Sequence, residues 1–216
     1  PNVGKSLIFH QLTGIGVEVS NYPGTTVDLK KGNLCFKHEK LELVDLPGIY
    51  SLEGDSPEEV MVRTFIQEKE AEVLIAVLDA THLERNLYLL LQLAEFGKPL
   101  VVVLNMMDEA AKQGIEIDAG KLSAILGVEV IPAAAITGMN VADIIPAALF
   151  RARSPSVLVP YDHHIEAAIR SIQQVHPATR LQALQALQGI GTDPEVSALV
   201  DALAPEIEDM HRMSVA

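Results

Sequence analysis

The sequence predicts an α/β fold, a doubly wound and mostly parallel sheet over residues 1–150 followed by a small all-α domain over residues 151–216. Three observations carry this. Val73 to Leu78 and Pro99 to Leu104 are continuous apolar runs of strand length, the pattern of strands buried on both faces in a parallel sheet. Helical patterns alternate with these runs, which implies right-handed crossovers and ligand loops at the C-terminal ends of the strands. Beyond residue 160 apolar residues recur only at helical spacing.

The chain of 216 residues is 49% hydrophobic, enough to bury a full core and leave room for a second small domain. Its net charge is −13 and acids outnumber bases in both segments, so nucleic acid is not an expected partner. Such acidity mostly favours solubility. Cys35 is the one cysteine, which excludes an internal disulfide and fits a reducing compartment. Its expected place is a small buried position on a strand. No signal segment is visible and no apolar run approaches the ~18 residues needed to cross a bilayer, so the chain as given is expected to be soluble. It starts without Met, inside a loop that normally follows a strand, and both ends read as cuts in something longer.

Pro1-Asn2-Val3-Gly4-Lys5-Ser6 reads as the back half of the phosphate-binding pattern G-x-x-x-x-G-K-[ST], whose leading Gly would lie two positions before Pro1. Gly4 lets backbone N–H groups face phosphate oxygens, Lys5 neutralises β/γ-phosphate charge, and Ser6 offers a hydroxyl to Mg²⁺. A helix from Leu7 to about Leu12 points its N-terminus at the same anion. Val17 to Thr26 is rich in turn formers and reads as a long mobile loop. Lys31 to Lys37 and Leu41 to Asp45 read as strands joined by a hairpin at His38-Glu39-Lys40. Asp45-Leu46-Pro47-Gly48 then gives D-x-x-G: the carboxylate suits Mg²⁺ through water, and the Gly48 N–H suits a γ-phosphate.

Ser56 is placed to cap a helix that opens with Pro57 and two acids. A further helix runs from Glu84 to Phe96 and closes at Gly97. The second buried run delivers Asn105-Met106-Met107-Asp108. Alone, N-x-x-D marks an Asx turn. In guanine-specific NTPases its Asp accepts from guanine N1–H and the 2-amino group together, and adenine has no donors there, so the pattern selects GTP over ATP. Its Asn ties the base loop to the phosphate loop. The three patterns stand in the order such a GTPase needs, each after a predicted strand except the first, whose strand is absent. That strand would lie between those ending at Asp45 and Leu78, leaving both neighbours with unpaired edges.

Asp118 to Leu126 reads as a short helix ended by Gly127, and Val128 to Ile131 as the last strand. The loop after it, Pro132 to Gly138, occupies the place where GTPases carry S-A-K. Asn140 is expected to cap a closing helix that runs to about Phe150, with a kink at Pro146. Arg151 to Pro160 reads as a linker. Three helices follow, marked by Ile165, Ala168, Ile169 and Ile172, by Leu181, Leu184 and Leu187, and by Val196, Leu199, Val200 and Leu203; Gly189-Ile190-Gly191 and Pro205 punctuate them. His163-His164 reads as a solvated first helical turn rather than a ligand pair, since adjacent helical residues point about 100° apart.

With these motifs in view the chain resembles the ferrous iron transport protein B family. The resemblance rests on Pro1 to Ser6, Asn21 to Val27, Asp45 to Leu52, Ser56 to Glu59, Asp79 to Tyr88 and Leu104 to Ala110, and more weakly on Tyr161 to Ile169. It implies a P-loop GTPase domain, a helical domain and, beyond Ala216, a membrane domain that moves Fe²⁺, with the whole at the cytoplasmic face of the cell membrane. It implies GTP and GDP as ligands, held by Asn2, Val3, Gly4, Lys5, Ser6, Asp45, Gly48, Asn105, Asp108, Ala134 and Ala135. Mg²⁺ would be held by Ser6, Thr26 and Asp45. A K⁺ ion would take the Asn2 side chain and the carbonyls of Ser20 and Tyr22. The catalytic set so implied is Asn2, Lys5, Thr26 and Gly48. Ile49 stands where many GTPases orient the attacking water with Gln, so slow, K⁺-stimulated turnover is expected.

Three departures from the family pattern stand out. The strand before the phosphate loop and that loop's first Gly are absent, Ala134 replaces the usual Ser or Thr with its N–H expected to remain available, and Ser20 and Tyr22 replace Gly and Trp. A regulatory GTPase bound to ribosomal RNA is the rival reading, against which the acidic balance argues. A fragment unable to hold nucleotide is another, and no pattern fixes an oligomeric state.

Overall fold

The computed structural model describes residues 2–14, 16–22, 26–52, 54–68, 71–158, 160–189, 194–196 and 198–202. It comprises two compact units, one of residues 1–94 and 98–157, the other of residues 95–97 and 158–216.

The first unit runs α1 (Lys5–Thr13), β1 (Val17–Asn21), β2 (Asp28–Phe36), β3 (Glu39–Asp45), α2 (Pro57–Glu68), β4 (Leu74–Asp79), α3 (Leu83–Ala94), β5 (Leu100–Asn105), α4 (Met107–Lys112), α5 (Ala119–Leu126), β6 (Glu129–Pro132) and α6 (Ile144–Phe150). Strands β4-β5-β6 form a parallel sheet and β1-β2-β3 an antiparallel one. Every residue of β5 is buried, because β4 and β6 flank it and helices cover its faces; that is why its sequence is unbroken Leu and Val before Asn105. Val101 and Val103 pack with Ile8 of α1, Ile131 of β6 and Ile144 and Ala147 of α6. Helix α1 is thereby fastened to the centre of the parallel sheet.

Among the described residues no strand pairs with both β3 and β4. Both strands instead line one cavity of ≈ 1690 Å³.

Several local expectations change. Val17 to Asn21 is a strand rather than part of a loop, in register with β2 from Val17 opposite Gly32 to Asn21 opposite Asp28. As an edge strand it is mostly exposed, so no burial alternation marks it in the sequence. Pro23, Gly24 and Thr25 lie outside the described residues. The hairpin turns on Lys37 and His38, with φ of 48° and 72°, so β3 begins at Glu39. Two left-handed residues match the right-handed twist of the flanking strands, which shortens the loop to two residues. Cys35, opposite Lys40, is exposed rather than buried.

Ser56 caps α2 as expected. Its hydroxyl accepts from Glu59 N–H at 3.2 Å while the Glu59 carboxylate reaches back to Ser56. Asn140 makes no cap: it is left-handed, at φ 58°, and its Nδ2 donates to Pro132 O at 2.8 Å. A short 3₁₀ turn, Val141–Asp143, intervenes before α6. Pro146 falls in the first turn of α6, where no intrahelical N–H is required, and the expected kink has no cause. Leu100 N–H donates to Arg153 O and Ser156 N–H to Leu126 O, which fastens part of the expected linker to the first unit.

In the second unit α7 (His163–Val175) and α8 (Arg180–Leu187) bury Ile169, Ile172, Ala183 and Leu184 with Val196. Residues 194–196 and 198–202 are helical, while Leu203 and Pro205 of the expected third helix, and Ile190 and Gly191 before it, lie outside the described residues. Thr179 and Gln182 form a capping box on α8. Arg180 joins Glu166 at 2.6 Å and Glu95 at 2.7 Å. The expectation of a solvated His pair holds only for His163, since His164 is buried.

Candidate functional site

The loop before α1 carries left-handed residues at Asn2 (φ 64°) and Gly4 (φ 79°), and α1 starts directly after Gly4. A Cβ on Gly4 would overlap the Asn105 carboxamide, so the glycine is required by close approach as well as by backbone sign. The loop and the N-terminal dipole of α1 together favour an anion. Pro1 lies outside the described residues.

Asn105 is the hub. It ends β5, is 2% exposed, donates Nδ2 to Val3 O at 2.9 Å, and accepts the Ala135 N–H on Oδ1 at 2.9 Å. One carboxamide therefore joins the phosphate loop to the loop after β6. Gln11 of α1 adds a second tie, donating to Ala135 O at 2.7 Å. Met106 is left-handed, at φ 63°, which turns the chain into α4 and sets Asp108 in that helix's first turn. Asp108, Ala135 and Ile136 all line the cavity. Ala134 does not, and its N–H is not available as expected: it is buried and donates to Met139 O at 3.2 Å.

At the other end of the site Lys5 Nζ meets the carboxylate of Asp45, which is 8% exposed at the end of β3. A cation and an anion thus stand at one spot, with the exposed Ser6 hydroxyl beside Lys5. This donor set suits a phosphate and a hard divalent ion together. Gly48 and Ile49 also line the cavity, as do Ser20 and Tyr22. Tyr22 N–H donates to Val27 O at 3.0 Å. Thr26 is exposed on a bend and is not part of the cavity wall.

Three contacts that the sequence did not point to hold the segment after Gly48. Arg63 of α2 donates to Leu52 O at 2.6 Å, Gln92 of α3 accepts the Leu52 N–H at 2.8 Å, and the Arg85 guanidinium lies 4.0 Å from the centre of the Tyr50 ring. No local pattern signals them, because the partners are 11 to 40 residues apart or more than a helix away. At the end of β4, burial pushes the Asp79 carboxyl up, but hydrogen bonds from Thr81 and His82 outweigh it and hold it below the usual carboxylate range.

Residues 1–148 match the family model described as ferrous iron transport protein B. A Porphyromonas gingivalis Fe(2+) transport protein A/Fe(2+) transporter FeoB fusion protein is 43% identical over 145 residues, 67% of this chain and 17% of that protein. The Fe(2+) transporter FeoB of Legionella pneumophila (strain Lens) is 47% identical over 136 residues, 61% of this chain and 18% of that protein. The chain thus spans less than a fifth of the length of these curated relatives. Among solved structures, a GDP-bound variant of the S. thermophilus FeoB G-domain superposes with a TM-score of 0.85 at 33% identity, covering 98% of this chain and 87% of the other. The cytosolic domain of the T. maritima FeoB iron transporter in its GMPPNP form gives 0.79 at 30% identity, covering 94% and 82%. The cytosolic domain of L. pneumophila FeoB gives 0.78 at 33% identity, covering 99% and 95%.

Proposed function

This chain belongs to the ferrous iron transport protein B family and has the fold of a P-loop GTPase, and from that premise we propose that its first 150 residues bind and hydrolyse GTP as the cytosolic module of a ferrous iron transporter. Residues 158–216, rather than the expected 151–216, act as its helical domain, and a membrane domain that carries Fe²⁺ follows in the whole protein, which places this module at the cytoplasmic face of the cell membrane. Among the described residues no helix is long and apolar enough to cross a membrane. The observation that supports the nucleotide reading is the pair of hydrogen bonds from Asn105 to Val3 and Ala135, which ties the loop before α1 to the loop after β6.

In this reading Lys5, the N–H groups of Val3, Gly4 and Ser6, and the α1 dipole neutralise phosphate charge. Gly48 N–H faces the γ-phosphate, and Asp108 accepts from guanine, with Ala134 and Ala135 shaping the base loop. Mg²⁺, when bound, would be held by Ser6, Asp45 and Thr26 and would neutralise developing phosphate charge. The Lys5–Asp45 pair must part for this, each partner then taking an opposite charge from the nucleotide complex. K⁺ would be held by the Asn2 side chain and the carbonyls of Ser20 and Tyr22, supplying positive charge that Ile49 has no group to replace. Relatives with GDP or GMPPNP bound support the ligand class.

The test is binding of a fluorescent GDP analogue with Mg²⁺, together with phosphate release from GTP. Saturable binding that GDP displaces and ADP does not is the expected result. Equal displacement by both would sink the guanine assignment.

A further inference from the structure

Outside the proposed nucleotide site, one cluster among the described residues brings metal-ligating side chains together. Asp162, His163 and His164 open the second unit's first helix, and a carboxylate oxygen and one nitrogen from each imidazole all lie within 4.8 Å of one another. Asp162 Oδ1 is 3.4 Å from His163 Nδ1, and the two ring centroids are 3.6 Å apart with their planes tilted by 43°. Helical geometry sends adjacent side chains about 100° apart, so this convergence needs a cause. The cap supplies part of it. Asp162 has an extended backbone (φ −50°, ψ 146°) and accepts the His164 N–H at 3.0 Å, which folds its carboxylate back over the first turn of α7.

We propose that Asp162, His163 and His164 bind a divalent first-row transition metal, through two imidazole nitrogens and one carboxylate oxygen, with water completing the shell. Imidazole with carboxylate suits Fe²⁺, Co²⁺, Ni²⁺ and Zn²⁺ and disfavours Mg²⁺ and Ca²⁺, which prefer oxygen alone. The 3.4 Å between the Asp162 oxygen and the His163 nitrogen is close to the ~3 Å edge that two adjacent ligands make at metal–ligand distances of about 2.0–2.2 Å. His163 is exposed, so a modest turn of its ring can close the remaining distance, while His164 is fixed by burial.

Electrostatics decides whether a cation is tolerated at a helix N-terminus. The α7 dipole opposes one, weakly at an exposed site. Against it stand Asp162 itself and the carboxylates of Glu166 and Glu95, both paired with Arg180, with Arg170 a second cation acting on Glu166. Glu166 Oε1 also accepts the Tyr161 N–H at 3.1 Å, so this carboxylate excess begins one residue from the site. These three carboxylates against two guanidiniums leave one net negative charge, which favours a cation. Ferrous iron falls within the accepted class, so the site would let the helical unit respond to the ion whose transport is proposed above. The binding claim itself stands apart from the nucleotide reading.

The probe is Co²⁺, titrated into the 216-residue chain without nucleotide and with excess Mg²⁺ to fill oxygen-only sites. One equivalent should bind with visible d–d absorption and should broaden the ring proton signals of His163 and His164. His163→Ala changes an exposed residue, and Asp162→Asn keeps a good helix cap, so both variants should retain the far-UV spectrum. Each should weaken Co²⁺ binding about tenfold or more, the loss typical of disturbing a ligand or its support. His82→Ala should leave it unchanged. Absence of saturable Co²⁺ binding overturns the proposal, as does binding in His163→Ala and Asp162→Asn equal to that of the parent chain.

Discussion

Ala135 donates its backbone N–H to Asn105 Oδ1 at 2.9 Å, across a separation of thirty residues and with both groups buried. Asn105→Ala strands that N–H and also frees Val3 O. Leaving a buried donor unsatisfied costs about 1–3 kcal/mol, so the variant should melt lower and release GDP roughly tenfold faster or more. Gln11→Ala removes only the bond to Ala135 O and should speed release less. Stopped-flow release of a fluorescent GDP analogue checks both. Unchanged release in Asn105→Ala would mean the two loops are held by something else.

Base choice isolates Asp108. Asp108→Asn should weaken GTP binding and improve binding of xanthosine triphosphate, because an amide donates where the carboxylate only accepts. Competition titrations with the two nucleotides read the ratio directly. Equal losses for both would remove Asp108 from the base site.

The hydrolytic step is expected to follow the cation. K⁺ should accelerate GTP hydrolysis over Na⁺, Asn2→Ala should abolish the difference, and Ile49→Ala should change the rate little, since the Ile49 side chain has no group to orient water. Phosphate release measured in the two salts is the check. If Na⁺ and K⁺ support one rate in the unmutated protein, the positive charge must come from a partner.

Acid should unfasten the second unit. The Arg180 guanidinium bonded to Glu166 lowers that carboxyl from 4.5 to about 2, and Arg180 is raised in turn by the same bond. The folded state thus binds the Glu166 proton more weakly than the unfolded state, so the stabilisation is complete above pH 4.5 and is lost as pH falls through that value toward about 2. Urea melts of the unit across this window should show the loss. Glu166→Gln should be less stable at neutral pH and flatter in acid. An acid dependence equal to that of the parent chain would rule Glu166 out as its source.

Some of this was legible before any coordinates. The β5 run reads as a buried strand because burial on both faces removes every polar residue from it. Lys5, Asp45, Asn105 and Asp108 stand out because phosphate and guanine recognition demand particular atoms at short fixed spacings, and such spacings are written in one dimension. The Ser56 cap is legible for the same reason, its partner Glu59 being three residues away.

What the sequence could not specify is which distant groups meet. β1 carries no strand signal because an edge strand exposed along most of its length leaves no alternating pattern, and only pairing with β2 defines it. Cys35 and His164 exchanged their expected surroundings, exposed for buried and buried for exposed, because strand face and helix packing, not residue type, set them. The Gln11 bond to Ala135 spans 124 residues, and the engagement of the Ala134 N–H by Met139 depends on how one short loop folds back. Periodicity and caps report interactions within a turn or a strand, so the sequence by itself determined the elements and the chemistry each carries. Packing of α1 and α6 on β5 brings those elements within hydrogen-bond reach, and that distance exists only in the folded chain.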